Sequence, residues 1–282
     1  MAYGVRASGM IAQVNGIYDE PELYQLACAY RDVPAEVSAL LSWCAKHWQG
    51  GGEKTTIHSV LELAAGPAEH ALELARRGLQ ATALDWSGAM CEYAAARASA
   101  AGLELAVVEA DMRNFTLASQ FDLAITMLNS LCHLFTLDDL VAHLAAVAAH
   151  LVPGGLYIAE LAHPADYLAP VPRTSNEWTI EKGGVRAEVR WGGHQDKIDP
   201  VSQITGEHMS ITAHGADGTV RTVSDVVPNR FWTATEMTAA IRLAGGFEVA
   251  ARYGDFDDTT MLDDPTAWRM ILVLRRENAP TP

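Results

Sequence analysis

From residue 58 onward the chain alternates short apolar runs with Ala- and Leu-rich helical stretches, and this rhythm limits the fold more than any other feature. Ser59-Val60-Leu61-Glu62-Leu63 reads as a buried strand, and residues 68–77 as a helix ended by Gly78. A second strand follows over 80–84. Ser87 then caps a helix to about residue 100, closed by Gly102. Strands are expected over 103–109 and 121–127, a helix over 137–150, a break at Pro153-Gly154-Gly155, and a fifth strand over 156–161. Strands separated by helices over about a hundred residues imply a parallel, doubly wound α/β sheet.

The flanks have a different character. Residues 21–48 read as helical, since Pro21 and Pro34 suit first turns and Val37, Leu40, Leu41 and Cys44 recur at helical spacing; Gly50-Gly51-Gly52 then breaks the chain. Beyond Pro164 the pattern becomes apolar–polar alternation over 187–191, 203–212 and 219–227, with a hairpin signal at Asp217-Gly218. A helix over 233–244 and strands over 247–253 and 268–275 close the chain, and residues 278–282 read as a frayed tail. The expected organisation is a helical cap (1–56), an α/β core (57–165), an antiparallel lid (166–230) and a closing helix and strands (231–282).

Charge narrows the class of partner. With 20 basic and 35 acidic side chains the net charge is −15, which suits neither a phosphate backbone nor an anionic membrane surface. No apolar run approaches the roughly 18 residues of a membrane span. Residues 1–16 lack the layout of a secretory signal, and Cys28, Cys44, Cys91 and Cys132 form no CxxC pair or zinc spacing. A cytoplasmic protein, monomeric or homodimeric, with a small-molecule partner and no metal, nucleic acid or membrane contact is the expectation.

Four consecutive strand ends carry chemistry. The first, Glu62-Leu63-Ala64-Ala65-Gly66-Pro67-Ala68, is a small-residue turn into a helix, where a ligand can approach backbone. Asp85 lies 23 positions beyond Glu62, at the end of the second strand, where doubly wound proteins place an acceptor for ribose hydroxyls. The third strand ends in Glu109-Ala110-Asp111-Met112, with a carboxylate for an exocyclic amine and a thioether for a ring face. The fourth runs into Leu128-Asn129-Ser130-Leu131-Cys132-His133, polar directly after a buried strand.

Together, ELAAGPAEH, LDWS with Met90 following, EADM, and FDLAITMLNSLCHL before VPGG resemble the class I S-adenosylmethionine-dependent methyltransferases. The resemblance covers roughly residues 20–165 and the closing FWTATEM and AGGFEV. It is nearest to the small-molecule branch that includes glycine N-methyltransferase and amino-sugar N-methyltransferases. It implies a Rossmann-like seven-stranded sheet with an N-terminal helical cap and an antiparallel β insertion. S-adenosyl-L-methionine would be the cofactor, S-adenosyl-L-homocysteine the product, and a nitrogen or oxygen of a small molecule, less readily a carbon, the acceptor. Position by position, Glu62, Ala64 and Gly66 would line the methionine part, Glu62 facing its ammonium. Asp85 would hold the ribose, Trp86 and Met90 would lie beside the adenine, and Ala110 and Asp111 would hold its edge with Met112 packed on it. Leu128 and Asn129 would sit near the sulfonium, and Tyr24 or Arg31 would close over the cofactor, Arg31 through its carboxylate. The family's turn usually has two or three glycines, whereas this one keeps only Gly66.

Methyl transfer from a sulfonium needs proximity and exclusion of water, with a base if the nucleophile arrives protonated. His133 is the candidate base. Tyr18, His163, Trp191, Arg230 and Trp232 are candidate substrate contacts. Two other classes fit less well. One is a nicotinamide-dependent oxidoreductase, for which the G-x-G-x-x-G turn is absent. The other is a non-catalytic module that keeps the fold alone.

Overall fold

The computed structural model describes residues 16–49, 56–170, 172–193 and 195–277. The expected Gly50-Gly51-Gly52 break, His194 of the insertion and the tail at 278–282 lie outside them.

The core is a seven-stranded sheet. In chain order its strands are β1 (Ser59–Leu63), β2 (Gln80–Asp85), β3 (Leu105–Glu109), β4 (Phe121–Thr126), β5 (Leu151–Ala162), β10 (Phe247–Tyr253) and β11 (Arg269–Arg276), arranged β10-β11-β5-β4-β1-β2-β3. Strand β1 pairs in parallel with both β2 and β4, so Leu61 faces Thr82 on one side and Ala124 on the other. The chain winds outward from β1 to β3 and then restarts at β4 on the opposite side. That reversal opens a crevice beyond the carboxyl ends of β1 and β4. The closing strands depart from the parallel pattern, because β11 is antiparallel to both β5 and β10.

Helices α3 (Glu69–Arg76), α4 (Gly88–Ala101) and α5 (Leu137–His150) are the crossovers, and α4 has both of its expected caps, whereas α3 is capped at Arg77, one residue before Gly78. Ser87 accepts from the Met90 N–H, Gly102 closes α4 in the left-handed region, and Thr136 with Asp139 forms a capping box. Helix α7 (Ala234–Ala244) opens on the same device, Thr233 with Glu236. One boundary differs from expectation. Strand β5 begins at Leu151 and carries Pro153-Gly154-Gly155 within it. Pairing jumps from Phe121↔Leu151 to Leu123↔Leu156, so the Pro-Gly-Gly segment is taken up as a bulge and the strand is not broken.

The rest of the chain builds a wall over the carboxyl edge. The strands β6 (Glu177–Lys182), β7 (Val185–Trp191), β8 (Ile204–His214) and β9 (Val220–Arg230) form an antiparallel meander that follows the short helix α6 (Ala165–Leu168). Sequence reading passed over β6, whose Trp178 and Ile180 alternate with charged or hydroxyl residues in only six positions. The small sheet does not make its own core. Ala187, Val189, Met209, Ile211, Ala213, Val223 and Val227 pack with Ile17 and with Leu23 and Ala27 of α1 (Pro21–Ala27). Trp178 Nε1 also donates to the Ala27 carbonyl at 2.9 Å, and Arg221 reaches Glu20 and Glu22 at 2.8 Å each. The expected single helical region at 21–48 is thus two helices with separate tasks. Helix α1 belongs to the small sheet, and α2 (Val33–His47) packs on the large one, where Trp43 stacks on Tyr253 with ring centres 4.5 Å apart. Among the described residues no helix is long and apolar enough to cross a membrane.

Candidate active site

A cleft of about 1920 Å³ lies between the carboxyl edge of the large sheet, α1 and the small sheet. Its floor starts at the turn after β1. Ala64, Gly66 and Ala68 all hold positive φ, at 50°, 52° and 57°. For the two alanines this left-handed backbone carries strain, which persists in native proteins mainly at functional sites. The turn is fixed by an acceptor on the neighbouring strand. Asp85 takes the Gly66 N–H on Oδ2 at 2.7 Å and the Ser87 N–H on Oδ1 at 2.8 Å. Each oxygen keeps a lone pair for a further donor. Burial pushes the Asp85 carboxyl upward, and the backbone N–H groups of Ser87 and Gly66 oppose that shift. A Cβ on Gly66 would meet only Tyr24 at 3.8 Å and Met90 Sδ at 4.0 Å, so the glycine serves its backbone conformation and a close approach.

The far end of the floor is a slot at the ends of β2 and β3. Ala110 and Met112 line it, Met90 lies beneath, and Trp86 stands at the mouth with 68% of its surface exposed. Asp111 lines the slot too, but Arg113 forks onto its carboxylate at 2.6 and 2.8 Å and holds its pKa below the ordinary value. The Arg113 guanidinium also lies 5.7 Å from the Trp86 ring. A base in this slot would therefore meet Asp111 as half of an ion pair.

At the end of β4, Leu128 and Asn129 again carry positive φ, 55° and 64°. Three bonds to β5 hold them there: Leu128 N–H to Glu160 Oε2 at 2.9 Å, Asn129 N–H to the Glu160 carbonyl at 3.2 Å, and the Ala162 N–H to Asn129 Oδ1 at 2.9 Å. The following turn brings His133 into the cleft, with Nε2 3.0 Å from the Tyr18 hydroxyl. A neutral imidazole has one N–H, and with it on Nδ1 the Nε2 atom accepts from Tyr18. Burial holds the His133 pKa below its ordinary 6.5, so the ring is neutral at pH 7. The Tyr18 ring touches Tyr24, which in turn meets Trp191 edge-on at 5.9 Å. An aromatic wall thus runs from α1 to β7.

Of the residues singled out from sequence, Tyr18, Tyr24, Ala64, Gly66, Asp85, Trp86, Met90, Ala110, Asp111, Met112, Leu128, Asn129, His133 and Trp191 all line this cleft. Five others do not. Glu62 is 3% exposed and turns under α3, accepting the Ala71 N–H at 2.7 Å beside His70. Arg31 is consumed by two buried carboxylates, Glu36 (2.5 and 2.9 Å) and Glu160 (2.7 and 2.9 Å), which leaves no fork free for a ligand carboxylate. His163 is pinned between the Leu262 carbonyl and the Ala165 N–H. Arg230 is tied to the Phe135 carbonyl, Gln203 and Glu236. Trp232 is core, 2% exposed, and donates to the Leu131 carbonyl at 3.1 Å. Sequence reading missed Thr205, Glu207 and Asn229, which line the cleft from the small sheet. The signal was available: 205, 207, 209, 211 and 213 share one face of β8, and the first two are polar where the others are apolar.

Residues 60–155 match the family model described as a methyltransferase domain. The match spans about a third of the chain, and the seven-stranded sheet with its antiparallel β11 is the methyltransferase fold. Among curated proteins, dTDP-3-amino-3,4,6-trideoxy-alpha-D-glucopyranose N,N-dimethyltransferase of Streptomyces venezuelae is 31% identical over 102 residues. That match spans 36% of this chain and 41% of the relative's length. Among solved structures, DesVI of Streptomyces venezuelae superposes with a TM-score of 0.74 at 21% identity, covering 92% of this chain and 98% of that one. The sugar N-methyltransferase KedS8 from a Streptoalloteichus species gives 0.69 at 22% identity and 99% coverage of both. At these identities the superpositions establish the fold.

Proposed function

We propose that the protein is an S-adenosylmethionine-dependent methyltransferase that methylates an amine of a small, sugar-like molecule. The observation that carries this reading is the convergence of the β1, β2, β3 and β4 ends on one cleft, with Asp85 as acceptor, Ala64 and Gly66 as the turn, and Leu128 and Asn129 held in strained backbone beside them. The donor set fits the cofactor: Asp85 offers lone pairs to two ribose hydroxyls, and Trp86, Met90 and Met112 bound a slot for a flat base. When bound, S-adenosylmethionine supplies an electrophilic methyl group on a sulfonium.

The remaining work falls to the chain's own residues. Tyr18, Tyr24 and Trp191 exclude water from the space beside Leu128 and orient the acceptor. Neutral His133 accepts the Tyr18 proton as Tyr18 takes one from the acceptor nitrogen, which frees that nitrogen's lone pair for in-line attack. A nitrogen acceptor is favoured over oxygen because a protonated amine gives up its proton far more readily than an alcohol does, which suits a histidine whose basicity burial has lowered. The relatives' names point the same way. Calorimetry with S-adenosylmethionine and S-adenosylhomocysteine tests the first half of the reading, with micromolar binding expected and no displacement by nicotinamide dinucleotides. Mass gain by one methyl in a panel of amino sugars tests the second. Folded protein that binds neither cofactor form would exclude the reading.

A further inference from the structure

The small sheet turns one face toward the molecule. Along β8 that face carries Thr205, Glu207, Met209, Ile211 and Ala213, and on β9 Asn229 stands directly opposite Thr205. Met209, Ile211 and Ala213 pack against Ile17, Leu23 and Ala27, as an amphipathic strand should. Toward the Ile204 end the same stripe turns polar and lines the cleft. A polar group in a water-poor recess costs free energy unless something pairs with it.

The pairing inside the protein is incomplete. Asn229, 4% exposed, donates Nδ2 to Glu207 Oε2 at 2.7 Å and accepts from Cys132 Sγ on its Oδ1. Both ends of this amide are occupied, so Asn229 seats Glu207. The other carboxylate oxygen, Oε1, has among the described residues only the Tyr167 hydroxyl at a long 3.5 Å. Thr205, also 4% exposed, has no hydrogen-bond partner on Oγ1 among the described residues, and neither has the buried Asp166 Oδ2 on the same cleft wall. Three oxygens, Glu207 Oε1, Thr205 Oγ1 and Asp166 Oδ2, thus face the space with a single weak donor between them among the described residues, while Asp166 Oδ1 already takes the Arg173 and Thr174 N–H groups. The ligand that satisfies them is rich in donors and positive. Of the charged residues lining the cleft, seven are carboxylates and four are cations, and Arg113, Arg173 and Arg269 among the cations are already bound to protein oxygens. Burial raises the Glu207 pKa, which an arriving cation would reverse.

We infer that Glu207, seated by Asn229, receives the ammonium of the methyl acceptor, and that the acceptor is a polyhydroxylated amine that enters as a cation, its hydroxyls meeting Thr205 and Asp166. This rests on the methyltransferase reading of the cleft and adds the residue that selects the substrate. Glu207 binds; it acts before the proton passes to the Tyr18–His133 pair, and Tyr18 lies within its electrostatic reach.

The test uses the full chain saturated with S-adenosylhomocysteine, with binding followed by ligand-observed NMR. The probes are free 2-, 3- and 4-aminohexopyranosides and their N-acetyl counterparts. At least one amine should bind, its N-acetyl partner about tenfold or more weakly, a difference of about 1.4 kcal/mol. Glu207→Gln can still accept from Asn229 but loses the charge, and it should bring the amine down to the N-acetyl level. Its affinity for S-adenosylhomocysteine should stay unchanged, which also shows that the variant is folded. Equal binding of amine and amide, equal binding by wild type and variant, or binding of no amine would each overturn the inference while leaving the cofactor reading intact. Failure of wild type to bind S-adenosylhomocysteine would instead overturn the reading beneath it.

Discussion

The Asp85 carboxylate accepts the Gly66 N–H at 2.7 Å, so one acceptor joins the end of β2 to the turn after β1. Its second oxygen is engaged by the Ser87 N–H, and the group faces the cleft with both oxygens aligned. Removing it withdraws a charged partner from the proposed ribose position and loosens the turn at the same time. Asp85→Ala should weaken S-adenosylmethionine binding well beyond tenfold, since a hydrogen bond to a charged group contributes roughly 1.5–3 kcal/mol and two are lost. Titration calorimetry measures this, and wild-type affinity in the variant would remove Asp85 from the site.

The Tyr18–His133 contact makes a kinetic prediction. His133→Ala should lower turnover by about 10²-fold or more while leaving cofactor affinity intact, and Tyr18→Phe should lower it in the same direction. Burial holds His133 below 6.5, so the acid limb of kcat/KM should lie below that value, with rates still flat where an exposed histidine would already be protonated. A limb centred at 6.5 or above would show that another group governs the rate.

Glu160 holds Arg31 and Arg269 at 2.7 and 3.0 Å and is itself fully buried. Glu160→Gln takes the counter-charge from Arg269 and one of two carboxylates from Arg31, and should cost about 3–5 kcal/mol in urea unfolding. The two arginines and the Leu128 N–H hold the Glu160 pKa, against the opposing effect of burial, down at about 2. The folded value lies below the unfolded one, so its contribution is complete above the ordinary 4.5 and is lost as pH falls through about 2. In the variant that portion of the acid loss should be missing.

His70 behaves in the opposite sense. It lies 2.8 Å from Glu36 and 3.5 Å from Glu62, and these carboxylates raise its pKa to about 9 although burial opposes the charge. Stability from this charge is complete below the ordinary 6.5 and is lost as pH rises through about 9. His70→Gln should flatten the alkaline side of the stability profile, and an unchanged slope between pH 7 and 10 would show that the ring is neutral in the native state.

Ala64 and Ala68 sit at φ of 50° and 57°, a conformation that costs a residue with a Cβ about 1–2 kcal/mol. Ala64→Gly and Ala68→Gly should each raise stability by up to about 1 kcal/mol, because relief of strain exceeds the added unfolded-state entropy. Denaturant midpoints check this, and a fall in either variant would show that the methyl packs more than it strains.

The sheet was readable because its strands and helices have different periods and their caps are local: Ser87, Gly102 and Thr233 act within their own turn. The floor of the cleft was readable for a related reason, since Asp85, Ala110 and Asn129 occupy fixed places at or just after strand ends. Arg31 and Glu62 were misplaced because pairing decides their direction. Carboxylates distant in sequence, Glu160 above all, draw the guanidinium inward, and the α3 backbone takes Glu62. Trp232 and Arg230 looked like a binding wall because aromatic and cationic residues suit both a ligand and a core, and only the tertiary contact with Leu131 and Phe135 separates the two. Glu207 was hidden by its setting in an alternating strand that otherwise reads as packing.

The small sheet takes its core from Ile17, Leu23 and Ala27, far earlier in the chain. The wall proposed to select the acceptor is consequently not a cassette. Transplanting β6–β9 from a relative, by design or by recombination, would strip the sheet of its packing partners unless the N-terminal segment travelled with it. Acceptor specificity in proteins built this way should change by paired exchange of two distant stretches, or by point changes at the polar end of β8 that leave the apolar stripe alone.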